Sequence, residues 1–293
     1  MDELWNCEYN GAVVTKTCTL EAREGNAFPR VSCADDGSVS INSVGLANLG
    51  VDTYLKWLEG SSDIFKPVFL SIGGLSKEEN MKLLREIREA SHPPDFVELN
   101  VSCPNLVGST VTGYDTALLY EYLSILMLNI TIMREKGVDI GCGVKLPPYF
   151  DDCSFQSVAD IINDFEELDY ITTINGVPNC LVIDTKTEAP VIKPKNGHGG
   201  LGGGVTKPIG LANVATFRKY LDPRIKIIGC GGVCTGEDVF QYLLCGADAV
   251  EIGTQFLHEG VTCFERICVE LQELMRGKGY HNITEFQGKL CKK

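Results

Sequence analysis

Short runs rich in β-branched and other apolar residues recur at 11–16, 67–72, 96–102, 141–146, 170–175, 225–229 and 249–253, with longer stretches of mixed polarity between them. Within those stretches apolar residues return every three to four positions. Met81, Leu84 and Ile87 do so in 77–90, and 117–135 and 237–244 repeat the pattern. Strands alternating with amphipathic helices predict an α/β chain built on a parallel sheet with right-handed crossovers. No Pro/Ser tract or block of charge interrupts the alternation, so residues 1–293 are expected to form a single domain.

Seven strand-like runs are one short of the eight in a closed (β/α)8 TIM barrel. Residues 2–9 look like the end of a helix, so the first barrel strand would lie upstream of Met1, and the chain is expected to be N-terminally shortened. An open doubly wound sheet accommodates seven strands without a gap, and the pattern alone leaves both readings open. Long segments follow the runs ending at Lys16, Ser102 and Asn175, whereas the returns into strands are short. Long loops at strand C-terminal ends are where barrels build their sites. Residues 182–192, with Asp184-Thr185-Lys186-Thr187 between two β-branched runs, predict a hairpin over that face and a candidate lid.

Composition narrows the class. With 293 residues and 44% hydrophobic content, the chain can bury a large core, which excludes disorder. The formal charge of -13, without any Lys/Arg-rich run, argues against a nucleic-acid partner. No apolar run approaches the roughly 18 residues of a membrane span, and Met1-Asp2-Glu3-Leu4-Trp5 lacks a signal-like pattern. A cytoplasmic protein without a membrane partner is expected. Thirteen cysteines, an odd number and with no C-x-x-C pair, read as thiols in a reducing compartment. His92, His198, His258 and His281 lie far apart, so no metal site is expected.

Side chains alternate in direction along a strand, so Glu98, Asn100 and Ser102 face inward while Val97, Leu99 and Val101 face the helices. Lys16, Lys145 and Asn175 hold comparable positions at other strand ends. Two lysines and two amides gathered at one place need partners, because an unpaired buried charge costs several kcal/mol. A small anionic ligand rich in amides would supply them. Glycine clusters at Gly229-Cys230-Gly231-Gly232 and Gly253-Thr254, with a helix starting near Thr235-Gly236, predict a phosphate cradle. Gly197-x-Gly199-x-x-Gly202 matches the dinucleotide fingerprint formally but neither directly follows a strand nor opens a helix, and is rejected as one. Cys103 follows a strand end beside Pro104, and a thiol there, titrating near ~8.5 when unperturbed, can serve as a base.

These motifs resemble the soluble class 1A dihydroorotate dehydrogenases, FMN-containing barrels of pyrimidine synthesis. The likeness runs through Val14-Thr15-Lys16-Thr17-Cys18-Thr19, Ser40-Ile41-Asn42-Ser43-Val44-Gly45-Leu46, Glu98-Leu99-Asn100-Val101-Ser102-Cys103-Pro104-Asn105 and Gly143-Val144-Lys145-Leu146-Pro147-Pro148. It continues through Val191-Ile192-Lys193-Pro194-Lys195, Gly199-Gly200-Leu201-Gly202-Gly203, Cys230-Gly231-Gly232-Val233 and Gly253-Thr254.

The resemblance implies that Cys103 removes a proton from C5 of dihydroorotate while hydride passes from C6 to flavin N5. It implies that Lys16, Asn42, Asn100, Asn105 and Asn175 hold the substrate, with Ser43, Val44, Gly45 and Leu46 closing around it and Gly176 beside it. Lys16, Thr17, Asn100 and Ile174 would lie against FMN, and Lys145 would stabilise the negative charge of the reduced ring. Gly203, Gly231, Gly232, Gly253 and Thr254 would hold the ribityl phosphate. Fumarate would reoxidise the flavin, and the protein would be a cytosolic homodimer. Three departures stand out: Gly176 replaces a usual serine, Pro178 replaces a usual glycine, and residues 106–113 diverge. The first strand and the Ala-Ala-Gly segment that follows it in the family have no counterpart. A non-catalytic or truncated flavin- or pyrimidine-binding homologue is the alternative.

Overall fold

The computed structural model describes residues 2–60, 66–103 and 111–291. All seven expected strands form, as Val13–Val14, Val68–Ile72, Phe96–Asn100, Gly141–Leu146, Tyr170–Thr173, Lys226–Cys230 and Ala249–Glu251; five are trimmed, the one at 141–146 is as expected and the one at 225–229 is shifted by one residue. They make one parallel sheet in which each strand pairs with the next in the chain. A doubly wound sheet reverses its strand order at a switch point. The uninterrupted order is that of a (β/α) barrel, and it sets the doubly wound reading aside. Among the described residues the first and last strands do not pair with each other, so the sheet curls without closing.

Alternation along the strands stacks the interior in layers. At the N-terminal ends Phe69 and Phe96 stack with centroids 4.3 Å apart, and Tyr170 meets Phe69 edge-on at 5.4 Å. The facing positions are Gly141 and Gly143, where a Cβ would come within 2.2 Å of the Phe96 ring and 2.4 Å of the Tyr170 ring. These glycines are there because the rings need the volume. Above the rings lie Ser71, Glu98 and Thr172, and above those Asn100, Lys145, Cys230 and Glu251.

Helices cover the outside. Ser76, Asp115 and Asp151 cap Lys77–Glu89, Thr116–Glu135 and Asp152–Asn163 by accepting from the first-turn N–H groups. The helices Val51–Glu59, Lys207–Tyr220 and Thr262–Lys278 were not singled out by periodicity. One expectation needs correcting. Thr116–Glu135 is 20 residues long with mean hydropathy 1.5 over its most apolar window, enough to cross a membrane by length and composition. Its inner face, from Leu119 to Met133, packs into the barrel core, while Tyr120 and Leu128 remain exposed, so both sides are apolar and no polar stripe breaks the run.

A second, antiparallel sheet was not foreseen. Its order is Val31–Cys33, Ser40–Asn42, His198–Gly202, Val177–Leu181, and it spans the C-terminal mouth of the barrel. The segment rejected as a dinucleotide loop is therefore a strand with a bulge between Gly199 and Leu201. The predicted hairpin exists as Ile183–Asp184 paired with Ala189–Pro190. It packs against the outer end of that sheet, where Pro190 leaves no room for a Cβ on Gly197, and none of its residues lines the cavity. The mouth is covered by the four-stranded sheet instead.

Candidate active site

A cavity of about 400 Å³ lies between the barrel strand ends and the antiparallel sheet, a size usual for small-molecule sites. Lys16, Asn100, Lys145 and Asn175, predicted to converge from four strands, all line it, and so does Cys103. Thr17, Asn42, Val44, Gly45, Leu46, Ile174 and Gly176 join them from the mouth, and Gly203, Gly231, Gly232, Gly253 and Thr254 from the far wall. One described residue expected there, Ser43, does not line the cavity. Ser43 is fully buried with its hydroxyl turned to Asn26, because the chain reverses at Gly45 and Leu46, both with positive φ. Asn105 and the segment 106–110 lie outside the described residues.

The polar groups are tied together. Asn100 Oδ1 accepts from the Ser102 amide at 3.0 Å and hydroxyl at 2.7 Å, while Asn100 Nδ2 donates to Thr17 Oγ1 at 3.0 Å. Asn175 Nδ2 donates to Ser102 Oγ at 2.7 Å, and Asn175 Oδ1 accepts from the Gly176 amide at 2.8 Å. Ser102 is thus the hub that orients both amides. The sequence had marked it as inward-facing without giving it a role. The hydroxyls of Thr17 and Ser71 are hydrogen-bonded to each other at 2.9 Å, which ties the first strand's end to its neighbour.

Lys16 is accessible from the cavity yet closely surrounded by protein. Burial pushes its pKa below the ordinary lysine value, the nearby Lys145 pushes the same way, and Cys103 works against them. Burial also acts to lower Lys145, but the carboxylates of Glu251 and Glu98, with Cys230, more than reverse it and hold its pKa above the usual value. Lys145 Nζ lies 2.6 Å from Glu251 Oε2, with both side chains largely buried. This ion pair was missed. Period-two alternation from Ala249 would have turned Glu251 inward, but nothing local identifies its partner 106 positions away. Glu98 has no exposed surface, and its Oε2 accepts from Thr172 at 2.7 Å.

The expected phosphate cradle is only half as drawn. The helix Gly236–Leu244 has its first N–H groups already satisfied: Cys234 and Thr235 donate to Asp238, Gly236 donates to Glu270, and Asp238 donates to Thr235 Oγ1. Among the described residues that network leaves only the Glu237 amide of the first turn without an acceptor, and Glu237 does not line the cavity. What remains are the loop amides of Gly231 and Gly232, which have no backbone acceptor among the described residues, and the Gly253-Thr254 turn. Gly231 and Gly232 take φ of 118° and 69°, a conformation open to glycine, and both line the cavity.

Comparison with known proteins gives a consistent picture. Residues 1–275 match the family described as dihydroorotate dehydrogenase. The chain is 45% identical to dihydroorotate dehydrogenase A (fumarate) of Lactococcus lactis over 283 residues, 96% of this chain and 87% of that one. It is 44% identical to dihydroorotate dehydrogenase (fumarate) of Saccharomyces cerevisiae over 293 residues, 99% of this chain and 89% of that one. Among solved structures, ligand-free dihydroorotate dehydrogenase of Eimeria tenella superposes with a TM-score of 0.77 at 20% identity, covering 96% of this chain and 82% of that one.

Proposed function

The chain belongs to the dihydroorotate dehydrogenase family, and from that premise we propose that it oxidises dihydroorotate to orotate, using FMN as the bound flavin and fumarate as the oxidant that restores it, in pyrimidine synthesis. The observation that carries this reading is the shared cavity: Cys103 opens onto the same space as two lysines and the Ser102-bound amides Asn100 and Asn175.

The cavity suits a flavin by its own geometry. Lys16 and Lys145 bring positive charge to a ring that becomes electron-rich on reduction. A Cβ at Gly231 would come to 3.1 Å from Ile174, and one at Gly202 to 2.7 Å from Ser40 Oγ and 3.2 Å from Thr254 Oγ1, so bare backbone is what keeps that wall open. The amides of Gly231 and Gly232 with the Thr254 hydroxyl suit a phosphate. When bound, FMN supplies the hydride acceptor.

The protein's own residues do the rest. Asn100 and Asn175, held by Ser102, present carboxamide edges that pair with the ring amides of a pyrimidine, and Lys16 pairs with its carboxylate. Binding that anion raises the pKa that burial had lowered on Lys16. Cys103 takes the C5 proton onto its sulfur, so loss of one proton there accompanies loss of one hydride from C6. A well-placed general base contributes about 10²–10⁴-fold. Gly176 offers the substrate no hydroxyl, and a Cβ there would stand 3.3 Å from Leu201 O. A purely binding homologue has no use for a thiol placed among these groups, and the enzyme reading is favoured. The same resemblance supports a cytoplasmic homodimer.

The test is turnover of dihydroorotate with fumarate by FMN-loaded protein and its Cys103→Ala and Cys103→Ser variants. The alanine variant is expected to lose at least about 10²-fold in kcat while still binding orotate. Undiminished turnover would remove Cys103 from the reaction.

A further inference from the structure

The layer that forms the cavity floor, Glu98, Lys145 and Glu251, carries more charge than substrate recognition requires. Lys145 reaches across the barrel from Gly141–Leu146 to Glu251 on the last strand, passing two intervening strands. Glu98 sits one step below, wholly buried. Glu251 Oε1 and Glu98 Oε1 are both buried without a hydrogen-bond partner among the described residues. Lys145 thus has one carboxylate in contact and a second carboxyl group one step below, and the oxygen that binds the ammonium comes from the strand leading into the Gly253-Thr254 wall. A carboxylate within 2.6 Å cancels much of the field that the ammonium would otherwise send into the cavity, and in a low-dielectric interior that cancellation is worth far more than at the surface.

We propose that Glu251 is a positioning residue that clamps Lys145 and so sets the redox poise of the flavin site: the clamped ammonium stabilises added negative charge less than an unclamped one, and the bound flavin is held at a lower potential. This rests on the reading that the cavity binds flavin next to Lys145. Glu251 does not touch the substrate in this role. It acts through the lysine, by neutralising its charge and fixing its direction.

Glu251→Gln keeps the shape and a hydrogen-bonding group while deleting the charge. In FMN-loaded protein the reduced form is expected to gain at least tenfold over the oxidised form relative to the parent, a rise of about 30 mV in the two-electron midpoint measured by dye equilibration. A change of less than tenfold, with flavin bound, overturns the proposal. Should Glu251→Gln not retain flavin, Glu251→Asp, which keeps the charge but withdraws it by one methylene, must show a smaller rise in the same direction, and no rise overturns the proposal equally.

A second measurement separates the clamp from the flavin reading. Apo-protein is treated with an amine-acylating reagent, and labelling of Lys145 is read by mass spectrometry against Lys16, which lines the same cavity. Without its carboxylate, Lys145 loses its principal counter-charge to burial, and its labelling relative to Lys16 is expected to rise at least tenfold in Glu251→Gln. An unchanged ratio refutes the clamp. A raised ratio in a protein that takes up no FMN upholds the clamp and refutes the flavin reading instead.

Discussion

Glu98 carries a carboxyl group with no exposed surface. Burial, followed by the neighbouring Glu251 carboxylate, raises its pKa, while Lys145 and the Thr172 hydroxyl pull it back only in part. The folded state therefore binds a proton that the unfolded chain releases at the ordinary glutamate value. Stability from this group is complete below that value and is lost as pH rises through the elevated one. A loss on the order of 2 kcal/mol between about pH 5 and pH 8 is expected in urea unfolding, and Glu98→Gln should flatten that slope. A slope unchanged in the variant would place the titration elsewhere. Alternation along 96–102 was enough to turn Glu98, Asn100 and Ser102 inward. It could not reveal that Lys145 is answered by Glu251, because that pairing depends on how far the sheet curls, and no local spacing encodes curl.

Elements show the same division between local pattern and long-range geometry. Parallel strands buried on both faces read as continuous apolar runs, which is why seven were legible to within a few residues. The antiparallel sheet over the mouth was hidden: His198-Gly199-Gly200-Leu201-Gly202 has almost no side chains to alternate, and Val31–Cys33 and Ser40–Asn42 are three residues each. Two element-level predictions follow from packing. Asp238 accepts from the amides of Cys234 and Thr235 and pairs with Lys207 at 2.5 Å, so Asp238→Ala should cost about 2 kcal/mol in thermal or urea unfolding. Gly143→Ala should cost about 1–3 kcal/mol, because its methyl would meet the Tyr170 ring. A combined Gly143→Ala, Tyr170→Leu protein should recover part of that loss, and additive costs would disprove the steric account.

Over the whole molecule, the curled sheet has two edges where a closed barrel has none, and protection from exchange should follow that asymmetry. Amides of Val14, Ala249 and Glu251, which face the unpaired edges, are expected to exchange at least about tenfold faster than those of Leu99 and Val144 in the middle of the sheet, measured by mass spectrometry on native protein. Uniform protection across all seven strands would mean that the edges are sealed in solution. The aromatic layer of Phe69, Phe96 and Tyr170 has a consequence of another kind. By stoppering the lower end it shuts the interior at the N-terminal ends of the strands, and among the described residues the cavity lies at the opposite, C-terminal mouth. Under the proposed function the spent pyrimidine and the incoming dicarboxylate both use that mouth, so each proceeds only after the other has gone.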